Sequence, residues 1–228
     1  MFPLRMPHRR PLTDVLGLHQ QEDSSECSVC GGEPHPFDAL LPSTYAYLLG
    51  VYLGDGWLAR SGSSWMLRIA LDAGYPRIVA EVADAMREIS GKDKISVRRH
   101  HSDQCVEVST TWRPWVCLFP QHGPGRKHNR RIALAVWQQA IVERAPKPFL
   151  RGLIQTDGWR GRNRVHVKGK DYAYPRYQFS NRSDDIRKLF TDVLDLLGVE
   201  WRQWTRYHVS VARRESVAYL DSFIGPKH

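Results

Sequence analysis

LLGVYLGDG, residues 48–56, returns later in the chain as LRGLIQTDG, residues 150–158. An aromatic precedes each copy (Tyr47, Phe149) and a tryptophan follows it (Trp57, Trp159). With Gly at about 7% of ordinary usage, a chance match at Leu, Gly, Asp, Gly and Trp has odds on the order of one in a million per start, so the stretch marks a duplication. Residues 45–53 are apolar nearly all round apart from a glycine, which predicts a helix buried on several sides. Gly50 and Gly54 lie four apart in one copy, Gly152 and Thr156 in the other, and small residues at that spacing let two backbones come close. Each helix runs into Asp-Gly, where Gly56 or Gly158 is expected to take the left-handed conformation that ends a helix. Two such helices side by side put Asp55 and Asp157 together, and paired carboxylates repel unless a cation sits between them. An ordinary turn is the bland reading of either Asp-Gly alone; the matched pair favours the functional one.

The chain has 228 residues, 42% of them hydrophobic, enough for a sizeable core. Its net charge is +9 and its pI about 9.6, a balance that suits a polyanionic partner. There is no run of 18 apolar residues, so no membrane span is expected. The N-terminal arginines lack an apolar stretch behind them, which argues against a signal peptide. Four cysteines make no disulfide framework in a chain of this length, so a reducing cytoplasm is expected, nucleoid-associated if the source is bacterial.

Residues 1–40 read as an N-terminal arm carrying a CxxC knuckle, Cys27 and Cys30, with His35 after it. That is half of a zinc site. Cys105 and Cys117 have neither the spacing nor the company to supply the other half, so plain thiols are expected, with Zn²⁺ at Cys27 and Cys30 as the alternative. Pro42, Ser43 and Thr44 start the first motif helix. Residues 66–71 alternate as a half-buried strand, with Leu67, Ile69 and Leu71 on one face. Residues 75–89 have helical spacing, ended by Gly91; Ile95 and Val97, then Val106 and Val108, mark strands either side of a polar break at 100–103. A short apolar helix follows over 112–119. The second half repeats this order with strands over 160–167 and 174–179, a helix over 184–197 closed by Gly198, strands over 199–204 and 207–211, and a helix over 215–223. Asp55 and Asp157 are 102 positions apart (157 − 55), and Ser109 and Ser210 are 101 apart (210 − 109). Each half ends in a Gly-Pro turn before a lysine: Gly123, Pro124, Lys127, His128, answered by Gly225, Pro226, Lys227, His228. Between the halves, 132–144 has a helical pattern broken by Pro146 and Pro148. The division is thus an arm (1–40), a first unit (41–130), a helical linker (131–148) and a second unit (149–228).

Each unit offers a four-stranded antiparallel sheet with one apolar face for its helices. Arg68, Arg98, Arg160, Arg162, Arg164, Arg176 and Arg202 are expected on the other face by alternation, and Arg60, Lys168 and Arg206 join them as candidate DNA contacts. Two twisted sheets side by side make a concave basic surface, and strands can enter the major groove of DNA. Solvated arginines are the bland alternative. Phosphodiester hydrolysis needs an activated water and positive charge on its transition state, which divalent cations between two carboxylates supply; oxygen-only ligation suits Mg²⁺. Lys127 and Lys227 are candidates for polarising the water or screening the phosphates.

Both copies of the motif resemble the signature helix of the LAGLIDADG homing endonucleases, and the resemblance spans roughly residues 41–228. It implies an α+β fold of two pseudo-symmetric αββαββα units in one chain, packed through their LAGLIDADG-type helices, with antiparallel sheets forming a DNA-binding saddle. It implies a monomeric, site-specific double-stranded DNA endonuclease that makes a double-strand break across the minor groove at a long target site. Asp55 and Asp157 match the family's metal ligands, with the carbonyls of Gly54 and Thr156 as helpers. The chain departs from the family in Thr156, bulkier than the usual glycine or alanine, and in Leu53 and Gln155, which stand where the motif has its first Asp. A non-cutting, sequence-specific DNA-binding regulator on the same scaffold and an RNA-splicing maturase are the competing readings.

Overall fold

The computed structural model describes residues 26–228 apart from 36, 100–103, 168, 226 and 228. The expected polar break at 100–103, the candidate contact Lys168, Pro226 and His228 of the second lysine turn, and all of the N-terminal arm before Glu26 lie outside the described residues.

Helices α1 (Pro42–Asp55) and α5 (Pro146–Asp157) form the centre of the molecule and pack along one another. Each opens on a proline, whose missing N–H costs nothing in a first helical turn. Neither has a side-chain cap, and the Thr44 hydroxyl, expected at the helix start, instead donates to Glu88 Oε2 at 2.7 Å. α1 buries every residue from Tyr45 through Leu53, as an apolar helix between partners should. The two backbones meet where the glycines are. A Cβ on Gly50 would lie 2.3 Å from the carbonyl oxygen of Phe149, and one on Gly152 would lie 2.3 Å from that of Tyr47. In both cases the carbonyl belongs to the aromatic residue that precedes the opposite copy of the motif.

Gly56 (φ −92°, ψ 153°) and Gly158 (φ −102°, ψ 163°) are extended, which corrects the expected left-handed cap. Each helix passes without a loop into a strand, β1 (Gly56–Ser61) or β5 (Gly158–Val167). Glycine is needed there for space, because a Cβ would fall 2.7 Å from the Cα of Tyr52 or of Ile154.

The first unit continues through β2 (Ser64–Asp72), α2 (Pro76–Ser90), β3 (Ser96–Arg99), β4 (Cys105–Thr111) and the short α3 (Trp115–Leu118). After α4 (Val136–Arg144), the second unit follows α5 and β5 with β6 (Lys170–Ser180), α6 (Asp184–Leu196), β7 (Arg202–Thr205), β8 (His208–Val211) and α7 (Arg214–Ile224). The strands form two antiparallel sheets ordered β1-β2-β4-β3 and β5-β6-β8-β7, giving an α+β fold with the same topology twice. The registers correspond: Gly56 faces Ile69 and Ile69 faces Val108, while Gly158 faces Phe179 and Phe179 faces Val209. Gly91 (φ +61°) and Gly198 (φ +66°) do take the left-handed conformation after α2 and α6.

Three local expectations change. Val97, read as part of an apolar strand face, is 52% exposed because β3 is an edge strand. The helical pattern over 132–144 becomes helix only from Val136; Ile132 is buried outside any helix or strand, its N–H donating to Asp185 Oδ2 at 2.7 Å. α5 begins at Pro146, inside the segment assigned to the linker. Among the described residues no helix is long and apolar enough to cross a membrane.

Candidate active site

Asp55 and Asp157 end α1 and α5 and lie at the same end of the helix pair, each mostly withdrawn from water. Burial raises the Asp55 pKa, opposed by the charges of Lys127 and Lys227. Burial and then the negative charge of Asp55 push Asp157 up to about 6, opposed by Asn181 and the two lysines. Asn181 Nδ2 donates to Asp157 Oδ2 at 2.6 Å. Such an acid pair is costly when both members ionise, and each added cation relieves it.

The two lysines are part of that relief. Lys127 Nζ donates to the carbonyls of Tyr52 (2.5 Å) and Gly54 (2.9 Å), and Lys227 Nζ donates to that of Gly158 (2.5 Å). Burial pulls Lys127 down to about 8 while Asp55 and Asp157 hold it up. Lys227 is also lowered by burial, against the same two carboxylates and Asp72. Lys127 is presented by a loop that Arg130 ties together: its Nη1 donates to Gly125 O (2.7 Å) and Gly123 O (3.0 Å), and its Nη2 to Gln121 O (2.9 Å). Neither Asn181 nor Arg130 carried a sequence signal, because nothing in their spacing shows which atoms they reach.

Thr156 and Gln155, two of the three departures from the motif, have hydrogen-bond partners. Thr156 Oγ1 donates back to the carbonyls of Gly152 (3.1 Å) and Leu153 (3.0 Å), and its side chain fills the space beside Gly54. Gln155 accepts from Tyr47 OH at 2.6 Å and donates to Glu81 at 3.2 Å, and Arg151 pairs with the same Glu81 oxygen at 2.9 Å. An open cleft of about 670 Å³ exposes the acid end of the helix pair, lined among others by Asp55, Asp157, Lys127, Asn181, Arg182 and Trp57.

The fold has solved relatives. No family model and no curated protein matches the sequence. Among solved structures, the LAGLIDADG meganuclease I-AabMI bound to uncleaved DNA superposes with a TM-score of 0.51, at 10% identity over 78% of this chain and 82% of that one. I-SmaMI, bound to an uncleaved DNA target in the presence of calcium ions, gives a TM-score of 0.51, at 10% identity over 82% of this chain and 85% of that one. The fold is that of the LAGLIDADG homing endonucleases.

In this LAGLIDADG fold the sheet faces turned away from the helices can be read from the register. Trp57 pairs with Arg68, Arg68 with Ser109, and Arg98 with Glu107, so these share one face of the first sheet, opposite Leu67 and Ile69. Arg176 pairs with Gly161, and Arg202 and Gln178 both pair with Ser210, on the corresponding face of the second. Arg160, Arg162 and Arg164 do not belong there. They pair with Tyr177, Pro175 and Ala173, on the side of buried Tyr177 and Phe179. Arg160 is bound by both oxygens of Asp221 on α7 (2.9 and 2.7 Å), and Tyr177 OH donates to the same carboxylate at 2.6 Å. The period of two was legible, but its phase was not, because β5 has no buried apolar residue among these positions to fix it. Arg60 likewise shares the side of Leu58, its guanidinium 4.8 Å from the Trp65 ring centre. Arg206 lies in the β7–β8 turn, 5.3 Å from the Tyr207 ring centre.

Exposed aromatic residues line the same outer face. Trp57 and Trp159, the repeated tryptophans, are 40% and 49% exposed beside the acid pair. Tyr172 and Tyr174 stack at 6.1 Å in phase with Arg176 and Gln178 along β6. Their alternation was the available signal. Cys117, set aside on spacing, is also placed differently: it lies with Cys27, Cys30 and His35 in one cluster.

Proposed function

We propose that the protein is a site-specific, divalent-metal-dependent endonuclease of double-stranded DNA that works as a monomer at a long recognition site. The observation that carries this reading is the pairing of Asp55 with Asp157 at the ends of two packed helices, with Lys127 and Lys227 beside them and outward sheet faces on both sides. The relatives I-AabMI and I-SmaMI, seen with uncleaved DNA, support DNA as the partner.

The donor set fits hard cations such as Mg²⁺: it offers only oxygens, and a bound cation would relieve both the burial and the mutual repulsion of the two carboxylates. Asp55 and Asp157 would hold it, with the Gly54 and Thr156 carbonyls adjoining; Gly54 O already accepts from Lys127. Bound there, the metal supplies a water of lowered pKa and positive charge for the phosphorane-like transition state. Burial works against the charged form of Lys127 and Lys227 while Asp55 and Asp157 favour it, and both amines are placed to polarise the attacking water or screen the scissile phosphates. Asn181 fixes one Asp157 oxygen and so orients the other. Arg98, Arg176 and Arg202 serve phosphate and base edges, and the exposed aromatics pack against sugars and bases.

The test is incubation with a randomised plasmid library and Mg²⁺, followed by sequencing of new ends. Defined ends are expected with the native protein and none with Asp55→Asn or Asp157→Asn. Cutting that survives both substitutions dismisses the assignment, and specific binding without cutting in any divalent metal favours a DNA-binding regulator.

A further inference from the structure

A second cluster of ligands lies outside the acid cleft. The ligand atoms of Cys27, Cys30, His35 and Cys117 all lie within 4.8 Å of one another. Cys27 Sγ is 3.7 Å from Cys117 Sγ, and Cys30 Sγ is 3.2 Å from His35 Nε2. Around a tetrahedral zinc, with Zn–S of about 2.3 Å and Zn–N of about 2.0 Å, sulfurs stand roughly 3.8 Å apart and sulfur and nitrogen roughly 3.5 Å. A disulfide would need sulfurs about 2.05 Å apart.

The loop around the first pair is shaped for the same purpose. Gly31 N–H donates to Cys27 O at 2.7 Å and Cys27 N–H to Gly32 O at 2.6 Å, a tight turn that needs Gly31 at φ +64°. The turn aims the backbone N–H groups of Cys30 and Val29 at the Cys27 sulfur. Arg113, whose Nη1 donates to Gly31 O at 2.9 Å, places a positive charge beside a set whose three thiolates and neutral imidazole would leave a zinc ion with one net negative charge.

We propose that Cys27, Cys30, His35 and Cys117 bind one Zn²⁺ as a closed, four-coordinate structural site. Three thiolates and an imidazole are soft donors that select zinc over the hard cations suited to the aspartates. Four protein ligands leave no open position for catalysis. Cys117 sits on α3, ninety residues from Cys27, so the ion ties the segment before α1 to the body of the first unit. Phe37 continues that docking by stacking on Trp137 of α4 at 4.2 Å. Binding would release the thiol protons to solvent.

The full-length protein, purified under reducing conditions, tests this by metal analysis and by Co²⁺ substitution. One zinc per chain is expected, and cobalt should give the intense visible bands and thiolate charge transfer of a tetrahedral site. Cys27→Ser and Cys30→Ser, both in a surface loop, should lose most of the zinc and that spectrum, while Cys105→Ser, outside the cluster, keeps both. A chelator should lower the melting temperature of the native protein and leave that of Cys30→Ser unchanged. Absence of stoichiometric zinc together with no tetrahedral cobalt spectrum, or full zinc retention in Cys30→Ser, overturns the proposal. Asp55→Asn leaves zinc content untouched, so this result is independent of whether the protein cuts DNA.

Discussion

The side chain of Thr156 occupies the space that a side chain on Gly54 would need: a Cβ there would lie 2.1 Å from Thr156 Oγ1 and 2.6 Å from Thr156 Cβ. The larger residue on one helix is matched by the missing one on the other, so the helix contact stays close at the end that carries the two aspartates.

Gly54→Ala is therefore expected to destabilise the fold by about 1–3 kcal/mol through overpacking. Adding Thr156→Gly should recover most of that loss, less about 0.3 kcal/mol for glycine in place of threonine in a helix. Gly50→Ala meets the Phe149 carbonyl rather than a side chain, and no partner truncation should rescue it. Urea unfolding of the single and double variants measures this, and additive losses at 54 and 156 would refute the match.

Arg130→Ala should remove the contacts to the carbonyls of Gln121, Gly123, Pro124 and Gly125 that shape the Lys127 loop. We expect cleavage to fall on the order of a hundredfold with DNA affinity little changed, since displacing a catalytic group by an ångström has that effect. Removing the Arg130 charge should also raise the Lys127 pKa, because Arg130 is among the groups that lower it. Single-turnover rates across pH report both, and an unaltered rate would mean that the loop holds its shape without Arg130.

Arg160→Ala and Arg176→Ala separate the two faces of the second sheet. Loss of Arg160 breaks its pairing with Asp221 and should cost about 1 kcal/mol of stability, with DNA affinity and its salt dependence preserved. Loss of Arg176 should leave stability alone and, for a phosphate contact, lower the slope of log affinity against log salt by about 1. Binding titrations at several salt concentrations decide it, and the opposite pattern would restore the face first expected for Arg160.

In metal-free protein Asp157 has its pKa raised to about 6 from an ordinary 3.8, so the folded state holds a proton that the unfolded chain has released. The resulting stabilisation is fully present below the lower value and is lost as pH rises through the upper one, by on the order of 3 kcal/mol at most. Lys127, lowered to about 8 from 10.5, contributes in the other direction, adding stability as pH rises between those values. Melting curves in chelator should show Asp157→Asn lacking the fall between about pH 4 and 7. Cation affinity should climb over the same range, because the carboxylate must be free to bind. Parallel curves for the two proteins would remove Asp157 as the source.

The chain by itself determined the duplicated helices, the glycines that bring them together, the two aspartates at their ends and the lysine closing each half. All of these are local patterns repeated at one spacing, and repetition makes local chemistry legible. Tertiary structure alone decided which face of β5 carries Arg160, since alternation sets a period while the phase comes from Tyr177 and Phe179 packing on helices elsewhere in the chain. It also decided that Gly56 and Gly158 are needed for room rather than for a left-handed turn, and that Arg130 organises the Lys127 loop. Cys117 meets Cys27 across ninety residues for the same reason: contacts between distant segments depend on how whole elements pack, and no spacing along the chain encodes them.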